Sequence, residues 1–206
     1  MPIYGDSLRD AAGTFTYHLN ALLNKTLTLT PVRATIVERS EGGVRKEIAL
    51  MSFPRASDGS STIELKTRYG PMDLYLAQTL DAVREGNQRR VRLRTVSYVY
   101  TLQPHTWDDR IIRWEYVRFP GEDSYWSQHH VQGPLAFEIL DDRGTNHELT
   151  LNEWHLPTGW VTIEEVIRFC LHDLGSPALS GREAWHIALV ESSEVFRTQF
   201  SALNDV

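Results

Sequence analysis

Two β-patterned runs lie between Arg89 and Phe119, in the sequence RRVRLRTVSYVYTLQPHTWDDRIIRWEYVRF. Both runs are rich in Val, Ile, Tyr and Thr, which are residues that favour strands. The polar segment 104–109 between them has the length and composition of a hairpin loop. The runs 89–103 and 110–119 therefore predict a long antiparallel hairpin, around which the rest of the fold is arranged.

Three further stretches predict a meander before this hairpin. Runs 26–39, 45–53 and 62–69 are rich in β-branched and aromatic residues, and short turns rich in Gly and Ser separate them. Short turns favour antiparallel pairing, because parallel strands need longer crossover connections. One more strand is predicted at 134–140.

Helical periodicity marks both ends of the chain and one segment in its middle. Apolar residues recur at spacings of three and four in segments 7–23, 72–83, 162–174 and 180–203. Capping-box pairs stand at three of the starts, namely Ser7 with Asp10, Thr162 with Glu165, and Ser180 with Glu183. The sequence thus predicts an α+β fold: an antiparallel sheet, made of a meander plus a long hairpin, packed by amphipathic helices at the N-terminus, middle and C-terminus.

The composition of the chain is that of a folded domain. Of its 206 residues, 41% are apolar and 23% are charged, which is ordinary for globular proteins and argues against disorder. No Pro/Gly/Ser-rich linker and no internal repeat divides the sequence. We predict a single domain over 1–206, with a sub-boundary near residue 87 as the alternative.

The sequence also indicates a compartment. No run of 18 apolar residues is present, and the N-terminus MPIYGDSLRD lacks the basic and apolar regions of a signal peptide. The single cysteine, Cys170, cannot form an internal disulfide, and it lies on the apolar stripe of a predicted helix. We expect a buried, unreactive thiol and a cytoplasmic protein without membrane association.

Charge is distributed unevenly along the chain. The formal net charge of −6 argues against a protein that binds nucleic acid over its whole surface. Segment 84–118 nevertheless carries eight arginines against four acidic residues. One interpretation is a local surface for RNA phosphates, formed by Arg89, Arg90, Arg92, Arg94 and Arg110. The alternative is that these arginines only supply the polar outer face of a sheet.

Histidine and tryptophan are concentrated between Trp107 and Trp160. Histidine exchanges protons near neutral pH and therefore suits acid–base chemistry. In an extended segment the adjacent pair His129 and His130 would point to opposite faces. No Cys or carboxylate stands at ligand spacing around this pair, and the sequence has no nucleotide- or dinucleotide-binding motif. We predict neither a metal nor a cofactor.

One triplet is similar to the carboxylate-x-lysine element of magnesium nucleases. It is Glu64-Leu65-Lys66, with Asp58 upstream as the second carboxylate. The same triplet is also an ordinary exposed strand face, and Asp58 stands in a Gly/Ser loop. We favour the second interpretation.

Four short elements follow one another between residues 94 and 174. They are Ser97-Tyr98-Val99-Tyr100, Arg113-Trp114-Glu115-Tyr116, His129-His130-Val131 and Thr162-Ile163-Glu164-Glu165-Val166-Ile167. In this order they resemble the TumE-type toxin family of prokaryotic toxin–antitoxin loci. The resemblance covers well under half of the chain. It implies a role in a two-gene stress or defence module with a protein antitoxin encoded nearby, and it carries over no catalytic residue set.

Two functions are compatible with these patterns. The first is a non-catalytic protein that binds a partner protein, with RNA as a further ligand and with tryptophan anchors at Trp107, Trp126, Trp154 and Trp160. The alternative for these loop tryptophans is that they only cover a small hydrophobic core. The second is a metal-independent endoribonuclease-like toxin. A histidine would exchange a proton with the 2′-hydroxyl, arginines would neutralise phosphate, and a tyrosine would orient the base. Its candidate residues are His129, His130, Arg113, Arg118, Tyr98 and Tyr116. We favour binding, because no group here has the spacing of a specific catalytic motif.

Overall fold

The protein is described by a computed structural model that covers residues 3–41, 43–57, 59–84, 89–105, 112–120, 128–133, 136–140, 146–150 and 155–200. Within these residues the chain forms three helices and eleven strands. The helices are α1 (Leu8–Lys25), α2 (Ile163–His172) and α3 (Arg182–Phe200). The strands are β1 (Tyr4–Gly5), β2 (Arg33–Glu41), β3 (Val44–Ser52), β4 (Thr62–Thr67), β5 (Gly70–Arg84), β6 (Val91–Pro104), β7 (Ile112–Val117), β8 (His129–Gln132), β9 (Ala136–Leu140), β10 (Asn146–Thr150) and β11 (Leu156–Pro157).

Nine of these strands form one antiparallel sheet, in the order β11-β8-β7-β6-β5-β3-β2. Strand β4 also pairs with β5, and β1 pairs with β6. Strands β9 and β10 form a separate two-stranded hairpin. The predicted α+β class and its antiparallel sheet are confirmed, and so is the long hairpin, in which Tyr98 of β6 faces Tyr116 of β7. Strands β5 and β6, which flank residue 87, are direct neighbours in this sheet.

The predicted helix in the middle of the chain is wrong. Residues 72–83 belong to β5, which pairs with β4 and β3 on one side and with β6 on the other. Along 72–80 the buried side chains alternate with half-buried ones, which is the period of a strand. Tyr75 is also apolar, so the same segment fits a helical spacing equally well. Residues 72–83 form a strand and not a helix because β5 pairs with neighbouring strands on both of its edges.

A β-bulge lies at the centre of the sheet. The register between β5 and β6 shifts between Thr79, which faces Ser97, and Leu80, which faces Thr95, so Val96 is an extra residue. Because of this extra residue, Leu93 before the bulge and Tyr98 after it face the same side of the sheet. We call this the helix side, since its side chains form one core with all three helices. The other side is the outer side.

The helices begin where the sequence predicts. The Ser7 hydroxyl accepts a hydrogen bond from the Asp10 backbone N–H at 3.2 Å, and the Thr162–Glu165 capping box is complete. Helix α3 starts differently, because the Ser180 hydroxyl donates to the Lys25 carbonyl at 2.6 Å and so joins α3 to the end of α1. Cys170 is fully buried in α2, and burial raises its thiol pKa to about 12, as expected of an unreactive cysteine.

The first predicted strand, 26–39, begins only at residue 33. The Thr26 hydroxyl donates to the Leu22 carbonyl at 2.8 Å and prolongs the end of α1. The Asn20 side chain then binds both backbone groups of Val32, at 2.8 and 3.1 Å, and fixes the turn before β2. Across the described residues, none of the helices has the length and apolar character needed to cross a membrane.

Candidate functional site

The two adjacent histidines lie on opposite sides of the sheet. Strand β8 pairs with β7 so that His129 faces Tyr116 and His130 faces Glu115. His129 is therefore on the helix side and His130 on the outer side, as expected for an extended segment. The structure separates these two candidate catalytic groups.

On the helix side, four rings form what we call the aromatic cluster: Tyr98, Tyr116, His129 and Trp160. The His129 ring stacks on Tyr116, with centroids 4.4 Å apart and an interplanar angle of 14°. The Trp160 ring contacts each of the other three, with centroid distances of 4.6 Å to Tyr116, 5.0 Å to His129 and 5.6 Å to Tyr98. A loop tryptophan thus closes over a row of sheet residues.

Tyr98 fixes the loop that carries Trp160. Its hydroxyl accepts a hydrogen bond from the Val161 backbone N–H at 3.1 Å. The ring is 1% exposed, and burial raises the pKa of Tyr98 to about 12, so the phenol stays protonated. Thr162, the N-cap residue of α2, follows directly. The sheet, the Trp160 loop and the start of α2 are therefore held as one unit.

Arg118 lies beside this cluster and donates two hydrogen bonds to the backbone at the β-bulge. Its side-chain Nε donates to the Thr95 carbonyl at 3.1 Å, and its backbone N–H donates to the Val96 carbonyl at 2.9 Å. Burial lowers the pKa of His129, and the positive charge of Arg118 lowers it further. His129 is accordingly a neutral imidazole at pH 7. Burial raises the pKa of Tyr116, although Arg118 and Arg94 oppose that shift.

An open cleft of about 690 Å³ adjoins the aromatic cluster, and we call it the Trp160 cleft. Its aromatic lining comes from Trp114, Trp160 and Phe169, and the rings of Trp114 and Phe169 meet edge to face at 5.6 Å. Its charged lining comes from helix α2 and the residue after it: Glu165, Arg168 and Asp173. Gly159, Val161 and Ser193 complete it. The combination of aromatic surface and a few charged groups is typical of binding sites.

On the outer side the candidate residues form a charged row. An Arg113 guanidinium nitrogen (Nη2) lies 2.8 Å from a carboxylate oxygen of Glu115 (Oε2), and His130 Nε2 lies 3.6 Å from that oxygen. His130 is 1% exposed, and its ring centroid is 4.8 Å from that of His155. Arg113 and His130 are thus held by Glu115, away from the aromatic cluster.

Two of the arginines predicted to contact RNA are engaged within the protein. Two guanidinium nitrogens of Arg94, Nη2 and Nε, donate to the buried carboxylate of Asp81 at 2.6 and 2.9 Å, and Lys46 Nζ donates to it at 2.5 Å. Burial alone would raise the pKa of Asp81, but these two cations outweigh burial and lower it. Arg92 is only 5% exposed. We call Lys46, Asp81 and Arg94 the Asp81 triad.

Of the remaining RNA candidates, Arg89 and Arg90 are exposed beside the start of β6. A guanidinium nitrogen of Arg90 lies 3.5 Å from the Tyr4 carbonyl. Arg110 lies outside the described residues, as do the predicted partner anchors Trp107, Trp126 and Trp154. Trp160 is the predicted anchor that the structure describes, and it lies in a loop as predicted.

The carboxylate-x-lysine element does not assemble as a metal centre in the part of the chain that the structure describes. Glu64 Oε2 lies 3.7 Å from His105 Nε2, while His105 Nδ1 lies 3.0 Å from Asp73 Oδ1. No group of three His, Cys, Asp or Glu with metal-binding geometry is found among the described residues. Asp58 lies outside them.

Sequence reasoning missed several residues of the Trp160 cleft and the Asp81 triad. Phe169 and Arg168 are neighbours on α2, and α2 comes to lie beside Trp114 only through tertiary packing. The sequence pattern predicts a helix that includes Asp81, so it could not show that Asp81 lies opposite Arg94 in the register of β5 and β6. An acidic residue within an apolar run is a signal that could have suggested a buried ion pair.

Comparison of the chain with protein-family models, curated proteins and solved structures gives no match. The resemblance to the TumE-type family stays a prediction, and the function has to be argued from the site itself.

Proposed function

We propose that this protein is a non-catalytic binding protein that engages a partner protein through the Trp160 cleft. The cleft itself carries the proposal. It is of the size of known binding sites and has a tryptophan on each of two structural elements, strand β7 and the loop before α2. Tryptophan and arginine are the residues most often found as energetic anchors of interfaces, and Arg168 is exposed at this cleft.

The burial and pairing of four of the six candidate catalytic residues also favour binding over catalysis. Tyr98, Tyr116 and His130 are each at most 3% exposed, and Arg113 is paired with Glu115. Groups that are buried or neutralised in this way cannot contact a polymeric substrate without rearrangement. The partly exposed rings of Trp160 and Phe169 at the open cleft need no such change.

The biological setting we propose is a cytoplasmic toxin–antitoxin-like stress or defence module. This part rests on the resemblance of residues 94–174 to the TumE-type family. The partner would then be the protein encoded by the neighbouring gene. Arg89 and Arg90 would allow RNA to bind as well, at the exposed end of β6.

The proposal predicts a strong effect of Trp160→Ala on partner affinity. We expect the dissociation constant for the neighbouring gene's product, measured by isothermal titration calorimetry, to rise by at least about thirtyfold, the effect of a hot-spot residue. Trp185→Ala is the matched control, because Trp185 is a half-buried tryptophan of α3 that does not line the cleft. Equal affinities of Trp160→Ala and the parent protein would contradict the proposal.

A second candidate function is metal-independent RNA cleavage centred on His129. The observation that favours it is the lowered pKa of His129, which gives a neutral imidazole, a potential general base, with the cation Arg118 nearby. His129→Ala would then abolish cleavage of a labelled single-stranded RNA, whereas an exposed-histidine control, His18→Ala, would leave it intact. Cleavage by His129→Ala at the parent rate would eliminate this candidate.

A further inference from the structure

We infer that the group seated in the Trp160 cleft is an arginine side chain of the partner protein, flanked by an apolar residue. This inference rests on the proposed function and names the chemistry of the partner. Three features support it: the charges that line the cleft, the aromatic faces it offers, and the state of its carboxylates.

The charged lining of the cleft is net acidic. Glu165 and Asp173 contribute two carboxylates, and Arg168 contributes the single cation. Outside segment 84–118 the chain as a whole is strongly acidic, so a cationic partner is attracted over a longer range as well.

The carboxylates are available to a ligand. Within the described part of the chain, Arg168 forms no ion pair with either of them. One oxygen of Glu165 accepts the Thr162 backbone N–H at 2.7 Å, which leaves its other oxygen for a ligand. Among the described residues, the Asp173 carboxylate contacts only the adjacent His172 ring, with His172 Nδ1 3.3 Å from Asp173 Oδ1, and both side chains are more than half exposed.

The aromatic surface selects arginine among cations. Indole rings are the best cation–π partners, and the partly exposed ring of Trp160 lines this cleft, whereas Trp114, which also lines it, is only 9% exposed. A guanidinium stacks on an aromatic plane and presents paired donors to a carboxylate at its edge, which an ammonium group cannot do equally well. The volume of about 690 Å³ exceeds one side chain, so an apolar neighbour can cover Phe169.

The test compares three acetylated, amidated peptides, Gly-Leu-X-Leu-Gly, in which X is arginine, citrulline or glutamate. Citrulline has nearly the shape of arginine without the charge. Binding is followed by NMR through the Trp160 indole N–H, assigned with Trp160→Phe. We expect the arginine peptide to bind about two- to fivefold more tightly than the citrulline peptide at low salt, and the difference to shrink in high salt. The glutamate peptide should bind most weakly.

Variants that change the charge of the cleft test whether it prefers a cationic or an anionic peptide side chain. Glu165→Gln keeps a capping-box acceptor while removing the charge, and together with Asp173→Asn it should weaken arginine-peptide binding. Arg168→Gln should strengthen it. Glu183→Gln, an exposed acidic residue at the start of α3 that does not line the cleft, is the control. Tighter binding of the glutamate peptide, or weaker arginine-peptide binding by Arg168→Gln, would overturn the inference.

The two proposals can fail separately. If none of the peptides shifts the Trp160 signal while the neighbouring gene's product still binds in a Trp160-dependent way, the arginine inference is wrong and the proposed function stands. If that protein also binds equally well to Trp160→Ala, both are wrong.

Discussion

Two neighbouring rows of side chains cross the same four strands and have opposite chemistry. One row, on the helix side, is Gln78, Tyr98, Tyr116 and His129. The next, on the outer side, is Ala77, Val99, Glu115 and His130. In the first row the rings of Tyr98, Tyr116 and His129 pack together and Trp160 covers them. The second row ends in two polar side chains, Glu115 and His130, whose closest atoms are 3.6 Å apart. The side of the sheet, and not distance along the chain, decides which groups can act together.

The two sides are also stabilised in different ways. The helix side gains free energy from buried aromatic area and needs few polar partners. On the outer side, charges such as Asp81 are buried, and each depends on its partner. We therefore expect loss of one charge there to be more costly than loss of one hydroxyl on the helix side.

The largest predicted effect is that of Asp81→Ala. The substitution removes the shared partner of Arg94 and Lys46, and breaking a buried ion pair costs about 3 kcal/mol when the remaining charges stay partly buried. Arg94 is one-quarter exposed, so it cannot fully regain its hydration. The free energy of unfolding, from urea denaturation monitored by circular dichroism, should fall by about that amount.

A matched control is Glu38→Ala, which breaks the exposed pair Arg45–Glu38 on β2 and β3, where the closest atoms are 3.7 Å apart. Such surface pairs contribute about 0–1 kcal/mol. A loss for Asp81→Ala no greater than for Glu38→Ala would show that the Asp81 triad is effectively solvated, and the contrast between the two sides would disappear.

A smaller effect is expected from Tyr98→Phe on the helix side. The ring and its stacking remain, but the Val161 backbone N–H loses its acceptor. Leaving such a donor unpaired costs about 1 kcal/mol. Tyr17→Phe, at a site that is 72% exposed, should change the free energy of unfolding by less than about 0.5 kcal/mol. If the two variants are equally stable, Tyr98 does not hold the Trp160 loop.

Much of the fold could be predicted because it depends on local patterns. The turn-rich joins between strands indicated antiparallel pairing, and the capping residues Ser7 and Thr162 marked helix starts that the structure confirms. The prediction of a helix in the middle of the chain was wrong because the same apolar residues fit both the period of a strand and that of a helix. Leu74, Leu76 and Leu80 alternate as a strand requires, but Tyr75 gave the segment an equally good helical stripe.

The candidate site could be predicted only in part. The period of a strand was enough to expect His129 and His130 on opposite faces of the sheet. It could not bring Trp160 to Tyr98, since that contact joins residues distant in the sequence through the path of a loop. Nor could it show that Arg94 is bound by Asp81, because that pairing depends on the strand register and on the bulge at Val96.

The smallest predicted effect is on the pH dependence of the free energy of unfolding, to which His129 and Glu164 contribute with opposite signs. Burial lowers the pKa of His129 from 6.5, so at pH values between 6.5 and the lowered pKa the unfolded chain binds more protons than the folded protein. The contribution of His129 to stability is therefore lost as the pH falls below 6.5. Burial raises the pKa of Glu164 from 4.5, so its contribution is lost as the pH rises above 4.5.

Two substitutions separate these contributions. His129→Gln should flatten the decline of unfolding free energy below pH 6.5. Glu164→Gln, which keeps an acceptor for the Ser192 hydroxyl now 2.5 Å away, should flatten the decline above pH 4.5. At each pH, subtracting the unfolding free energy of the parent protein from that of the variant removes the contributions of the other titrating groups, provided that the substitution leaves those groups undisturbed. Because His129 is only half-buried, the change in unfolding free energy caused by His129→Gln should be the smaller of the two.

If the change caused by His129→Gln does not vary with pH, the aromatic cluster is open to water. That result would weaken the contrast with the outer side and remove the basis for a neutral His129.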